Sequence, residues 1–362
     1  MLPSHDGRRQ VPVTTTRDIA ARLNVSVSTV GRALADDPRI SAETKFRVKQ
    51  TANELGYVAN RAARMMRGVP STVIGLVVPD VRNSFYSTVA HALTETVRSR
   101  DHQVMLCETG DERETELRQI RDLAAVQVAG VVIVPTPRPH PDVRRLLQAI
   151  PHVQLNRRVS GLSPHWFGID DHGVTRTATR HLLDLGHRKI GYIGGTVDIR
   201  TGAERLGGFR DAISEAGLPV ECGVVDLGPP SQTTHGADAL RRLLSSAEPP
   251  TAIVTGTVQM TVGVLAAAHE DRLAVPRSVS VVGFGDEPGF SWWGPGLTTV
   301  ALPIHELATA CGVWLLHQLE TTGATAHPTA FASASPGTLI VRGSTAEPAV
   351  VRRPARGSRA AR

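Results

Sequence analysis

Val27, Ser28 and Arg32 fall on one outward face of the short helical run VSTVGRAL, while Val30 and Leu34, with Val25 before the run, fall on the side that must pack inward. Those outward side chains suit the edges of nucleic-acid bases. Arginine bonds bidentately to guanine O6 and N7, serine donates or accepts at several base edges, and valine offers only methyl contact, most naturally to thymine. Around them lie hydroxyls placed for phosphate: Ser26, Thr29, Ser41 and Thr44, with Thr15 counted among them and backbone amides exposed at the helix starts.

Three short helical segments must hold this face. Thr15 can cap the first, with Asp18 three positions on and Ile19, Ala20 and Leu23 as its apolar stripe. Asn24 and Val25 make a tight turn. Ser26 caps the second segment, and Ser41 caps a third, AETKFRVKQTANELG, which ends at Gly56. Two short helices joined by a turn of three or four residues, with a third closing the core, form a helix-turn-helix. No strand signal precedes residue 60.

Charge divides the chain in the same way. Residues 1–70 hold 12 Lys/Arg against 6 Asp/Glu, and residues 347–362 hold 5 against 1. Because the whole chain carries +6, the part between is mildly acidic, at −4. A basic head on an acidic body implies that one end meets a polyanion. The tail EPAVVRRPARGSRAAR lacks periodicity and reads as a disordered basic extension. The first residues carry no secretory pattern and no run has the length of a membrane span, so a cytoplasmic protein without a membrane partner is expected. Cys107, Cys222 and Cys311 have neither disulfide nor metal-ligand spacing and read as buried, reduced fillers; no metal and no cofactor is expected.

From Val73 onward, short apolar runs (VIGLVVP, QVMLC, GVVIVP, HVQLN, KIGYIGG, AIVTG, VSVVGFG) alternate with stretches of helical period. This α/β pattern implies βαβ units and doubly wound parallel sheets, and the strand signals are too many for one comfortable sheet, so two subdomains are expected. Ligands of such folds bind outside the carboxyl ends of the strands. The absence of G-x-G-x-x-G after the first strand, of a phosphate loop and of a G-x-S-x-G elbow disfavours a nucleotide-cofactor enzyme or an α/β-hydrolase. His181 and His187, six residues apart, fall on different sides of a helix end and read as surface or capping histidines rather than a catalytic or metal pair.

The segment TRDIAARLNVSVSTVGRALADDPRISAETKFRVKQTANELGYVANRAARMMRG resembles, without a gap, the head of the LacI (lactose-repressor) family of bacterial transcription regulators. NSFY, HLLDLGHRKIGYIGG, VPRSVSVVGFGD and LTTVALP extend the likeness over about residues 14–346. The resemblance implies a homodimeric or tetrameric repressor, a pseudo-palindromic double-stranded DNA operator, and a two-lobed, periplasmic-binding-protein-like sensor holding a small effector, sugar-like in most relatives. The domains expected on this basis are an arm at 1–13, the helix-turn-helix at 14–59, a hinge at 60–70, the sensor at 71–346 and the tail at 347–362. The first lobe is expected at 71–169 with 299–330, and the second at 170–298 with 331–346.

The resemblance also assigns residues. NRAARMMRG matches the hinge helix, with Asn60 as its cap and a phosphate contact, Arg64 along the phosphates, and Met66, beside Met65, in place of the leucine that wedges into the minor groove. Phe85 and Tyr86 match an aromatic pair lining the effector cleft. Arg205 matches an arginine that reaches effector hydroxyls or a carboxylate, and Thr201, Asn156, Thr257 and Asp286 take further effector positions.

Several positions depart from the family pattern. Gly31 stands where serine is usual and Ala35 where asparagine is common. Thr257 and Val258 replace Asn-Asp, Asn156 stands where an acid is frequent, and Gly285 replaces an acid, with Asp286 next to it as a substitute acceptor. Fewer carboxylate acceptors make a plain hexose a weaker expectation, and point to a less polar or anionic effector. Asp170 and Asp171 read as structural residues at a lobe crossing. A transport solute-binding protein, the alternative class, would share the body but lack residues 14–68.

Overall fold

The computed structural model describes residues 14–57, 71–321 and 330–349. Contacts divide the chain into two units, Met1–Ser71 and Thr72–Arg362. The expected arm at 1–13, the hinge with Asn60, Arg64, Met65 and Met66, and all but the start of the basic tail lie outside the described residues.

In the first unit, α1 (Thr16–Leu23), α2 (Val27–Leu34) and α3 (Ala42–Glu54) close on Ile19, Val30, Ala33 and Val48, all with no exposed surface. α1 ends at Asn24, whose φ of 52° is one of the few left-handed conformations that asparagine tolerates. Ser26 accepts the Thr29 N–H at 3.0 Å and Ser41 accepts the Thr44 N–H at 3.3 Å, so α2 and α3 begin at the expected caps. Of the residues expected to face inward, Val30 is central. Val25 and Leu34 pack at the margin, and Ala33 takes the second buried place on α2, one turn from Val30.

The second unit contains two six-stranded sheets. In the first sheet, β1 (Val73–Val78) lies between β2 (Gln103–Glu108) and β3 (Gly130–Ile133). β4 (His152–Leu155) and β5 (Trp166–Ile169) follow outward. In the second, β6 (Ile190–Gly195) lies between β7 (Gly223–Gly228) and β8 (Ala252–Thr255), followed by β9 (Ser280–Phe284) and β10 (Thr298–Ala301). β11 (Ala332–Ser335) then joins β5 in the first sheet in parallel, and β12 (Thr338–Ile340) joins β10 in the second as its antiparallel edge. The lobe division therefore differs from expectation at its two later crossings. Residues 299–301 pair with β9 in the second sheet and residues 332–335 pair in the first, so the chain crosses at about 302–303 and 336–337.

Helices α4 (Ser84–Arg98), α5 (Arg113–Ala125), α6 (Pro141–Leu147) and α11 (Ile304–Thr321) serve the first sheet, with α4 and α11 packed together. Helices α7 (Asp171–Asp184), α8 (Arg200–Glu215), α9 (Thr233–Leu244) and α10 (Val258–Glu270) serve the second, pairing α7 with α8 and α9 with α10. The α7–α8 contact is close because α8 offers Gly208 there: a Cβ on it would stand 2.0 Å from the His172 carbonyl oxygen. In each sheet the order reverses direction at the first strand, β1 or β6, so the loops leaving neighbouring strands diverge there and open a crevice.

Candidate functional site

Two regions carry the expected chemistry. On the head, Val27 is 45% exposed, and Ser28 and Arg32 are exposed beside it. The Arg32 guanidinium has no ion pair or hydrogen bond among the described residues. Asp37, a carboxylate that feels its charge, is gripped by Arg39 through Nε at 3.0 Å and Nη2 at 2.7 Å, which holds its carboxyl far below the usual range. The Ser26 hydroxyl sits 2.8 Å from that of Ser28 and 2.7 Å from that of Thr29, and the Ser41 and Thr44 hydroxyls are 2.9 Å apart. These pairs keep lone pairs and rotatable protons at two helix starts. Thr15 is different: its hydroxyl donates to Asp18 Oδ2 at 2.7 Å, so its proton is committed and an anion lies beside it, which disfavours the expected phosphate contact. Arg17, exposed on α1, is a cation that the motif reading passed over because it lies outside the recognition helix.

In the second unit, Phe85, Tyr86, Asn156, Thr201, Arg205, Thr257 and Asp286 all line one cavity of about 910 Å³. Its walls are the segments that leave the strands of both sheets at their carboxyl ends, including those after β1, β4 and β9. Phe85 and Tyr86 are both buried and meet edge to face, ring centroids 5.2 Å apart. Burial pushes the Tyr86 hydroxyl pKa up, against the charge of Arg157 and a side-chain hydrogen bond to Asn156.

Arg205 is held on all sides. Its Nε and Nη2 reach Asp171 Oδ1 at 2.7 and 2.6 Å, its Nη1 donates to the Gly256 carbonyl at 2.8 Å, and its plane lies 4.1 Å from the centre of the Phe284 ring. Burial pushes the Asp171 carboxyl up while Arg205 pulls it back. Asp171 is thus the counter-ion of a cleft residue. Asp170 has the expected structural role, capping α7 by accepting the Gly173 N–H at 2.9 Å.

Two expected acceptors are already engaged. Asp286 is bound bidentately by Arg342, at 2.7 and 2.9 Å, and by the Thr299 hydroxyl at 2.8 Å, so it does not stand in as a free carboxylate. The Thr257 hydroxyl donates to the Pro230 carbonyl at 3.1 Å and accepts the Met260 N–H as the cap of α10. Gly285 has a physical reason: its φ is +75°, and a Cβ would stand 2.9 Å from Val258 Cγ2, so an acid there would be strained twice over.

Asn156 is the acceptor left open. It sits at φ +60° at the end of β4, is 9% exposed, and its Oδ1 has no hydrogen-bond partner among the described residues. Beside it Arg157, which sequence reasoning missed, is buried and paired with Asp111, Nη2 donating to Oδ2 at 2.9 Å. The signal was present: NRRV puts a cation directly after the strand-end asparagine. Also missed was a link between the lobes, in which the Ser84 hydroxyl donates to Glu287 Oε1 at 2.6 Å.

His187 is buried rather than at the surface, sharing protons with Thr251 and the Ala346 carbonyl at 2.8 and 2.9 Å, and His181 Nε2 meets the Thr345 hydroxyl at 2.9 Å. Both imidazole pKa values are lowered by burial, and both side chains anchor the last described segment to the second sheet. Among the described residues no helix is long and apolar enough to cross a membrane.

Comparison with known proteins agrees with both regions. Residues 15–60 match the model of bacterial regulatory proteins of the lacI family, and residues 179–345 match a periplasmic binding protein-like domain. The chain is 31% identical over 299 residues to the HTH-type transcriptional regulator GalR of Salmonella typhimurium, covering 82% of this chain and 87% of the relative. It is 26% identical to the HTH-type transcriptional repressor CytR of Escherichia coli, over 93% of this chain and 98% of that one. Among solved structures, the lac repressor dimer bound to operator and the anti-inducer ONPF shares the fold, with a TM-score of 0.78 at 24% identity over 92% of this chain and 99% of that one. A complex of the transcriptional regulator CelR with cellobiose has a TM-score of 0.68 at 27% identity, over 92% and 100% of the two chains. With its helix-turn-helix head and its two-sheet sensor unit, the chain belongs to the lacI family of bacterial regulatory proteins and is a DNA-binding transcriptional regulator.

Proposed function

We propose that the protein is a cytoplasmic repressor that binds a pseudo-palindromic operator as a dimer and is controlled by a small molecule held between its two sheets, which it binds without converting. The observation that carries this reading is a coincidence in one chain. All seven expected effector positions line a single cavity, and the head presents Arg32 with no ion pair or hydrogen bond among the described residues. Arg32, Ser28 and Val27 read bases, and Ser26, Thr29, Ser41 and Thr44 position phosphates. The hinge at 60–70, through Arg64, Met65 and Met66, wedges the minor groove and couples sensor to head. The names of related proteins support the same assignments: the lac repressor structure is a dimer on its operator, and CelR was solved with cellobiose. A solute-binding role leaves the head, which matches the lacI-family model over residues 15–60, without a task.

Selection of bound duplexes from a random pool by the full chain tests this reading. An inverted repeat is expected, and recovery of a single asymmetric site contradicts the dimer. Operator bending by Met66→Ala tests the wedge: a smaller bend is expected, and an unchanged bend with unchanged affinity removes that role.

A further inference from the structure

The charge inside the cleft identifies a feature of its ligand. Six carboxylates and three guanidinium groups line the cavity, an excess of three negative charges. The cations are already engaged. Arg82 is forked onto Asp80 at 2.9 and 2.7 Å, Arg157 onto Asp111, and Arg205 onto Asp171. Asp286 is neutralised from behind by Arg342. This leaves Glu108, Glu287 and Glu306 without an ion pair among the described residues, although Glu108 also feels Arg82.

Helix N-termini oppose this excess. α4, α8, α10 and α11 each direct about half a positive charge toward the cleft, roughly two-thirds of the three negative charges in total. Two of these termini are already capped, by the side chains of Asn83 and Thr257. The independent observation is Asn156 Oδ1, an acceptor more than nine-tenths buried, lining the cavity with no donor among the described residues. An anion would meet this wall with both buried arginines occupied, Arg82 in an exposed surface pair, and three carboxylates without an ion pair among the described residues. A donor-rich cation would satisfy both the orphan oxygen and the excess charge.

We propose that the effector is a polyhydroxylated molecule bearing a protonated amine, with the ammonium against Glu287 and a hydroxyl donated to Asn156. Glu287 is the anchor because it is half-buried and already bridges the lobes through Ser84, so a cation beside it is held where the two halves meet. This inference rests on the cleft being the effector site. It corrects the expectation of an anionic or less polar ligand: carboxylates missing at positions 156 and 285 are more than replaced from other segments.

The test is a thermal-shift and calorimetric panel on the full chain with amino sugars such as glucosamine, the matching neutral sugars, and the matching uronic acids. Amine-bearing members are expected to bind about ten- to a hundred-fold tighter than their neutral counterparts, the effect of one charge-assisted hydrogen bond. Glu287→Gln should remove that preference, so that amine-bearing and neutral members bind alike. Neutral sugars or acids that bind as well as amines, or a preference that survives Glu287→Gln, overturn the proposal. If such neutral or acidic members still move operator binding, the effector reading stands without it. A panel that moves neither melting temperature nor operator binding overturns the cleft as an effector site along with the proposal.

Discussion

Arg32 on the head and the buried arginines of the sensor cleft are treated in opposite ways. Arg32 projects from α2 with no ion pair or hydrogen bond among the described residues. In the sensor cleft, the buried Arg157 and Arg205 are each paired with a carboxylate of the same unit. An unpaired surface guanidinium costs the protein little in water and is ready for a polyanion. A buried one needs its counter-ion from folding onward. The same residue type therefore marks an interface in one unit and internal scaffolding in the other. Besides those pairs the cleft presents acids, the Asn156 amide oxygen and the Phe85 and Tyr86 rings.

The largest separation between the units should be in their response to salt. If the head contacts six to ten phosphates, operator affinity should fall by about 10³ to 10⁵ between 50 and 200 mM salt, because those contacts release counterions. Binding of a small ligand in the cleft should barely change over the same range. Fluorescence anisotropy for DNA and calorimetry for the ligand measure both, and a salt-insensitive operator affinity would break the comparison from the head's side.

Next is the buried pair. Arg205→Ala leaves Asp171 buried without its cation and should cost about 3 to 5 kcal/mol of sensor stability, seen in denaturant unfolding. The variant should also lose its response to effector. An unchanged unfolding midpoint would show that the pair is not the scaffold described here.

Glycines sharpen the contrast at smaller scale. A Cβ at Gly208 meets the His172 carbonyl at 2.0 Å, so Gly208→Ala should destabilise the sensor by about 1 to 3 kcal/mol. At Gly31 on α2 a Cβ meets nothing within 4 Å, so Gly31→Ala should stabilise the head by about 0.5 to 1 kcal/mol. Separate unfolding transitions for the two units would read both changes, and equal signs would contradict the packing argument.

How much of this could be read from the sequence depended on the range of the interaction. The head was legible because its caps act within three residues: Ser26 with Thr29, and Ser41 with Thr44. Six of the seven apolar runs marked inner strands, which are largely buried, and the seventh marked β2, a half-exposed edge strand that keeps an apolar run. β7, β11 and β12 were hidden because they are half-exposed edge strands without a continuous apolar run. The cleft positions came from family resemblance and do share one cavity. Their electrostatics did not follow, because Asp286 meets Arg342 and Arg157 meets Asp111 across long stretches of chain that no local pattern records. The two later lobe crossings were misplaced for the same reason, since only strand pairing decides which sheet a three- or four-residue strand joins.

The central claim is that an uncommitted arginine on a helix-turn-helix reads sequence on behalf of the sensor behind it. The most direct measurement is the ratio of affinities for the selected operator and a random duplex, for the wild type and for Arg32→Ala at one salt concentration. A wild-type ratio of at least about 10³ is expected, falling roughly ten- to a hundred-fold in the variant as guanine readout is lost in each half-site. A ratio near one in the wild type, or one unchanged by Arg32→Ala, would contradict it.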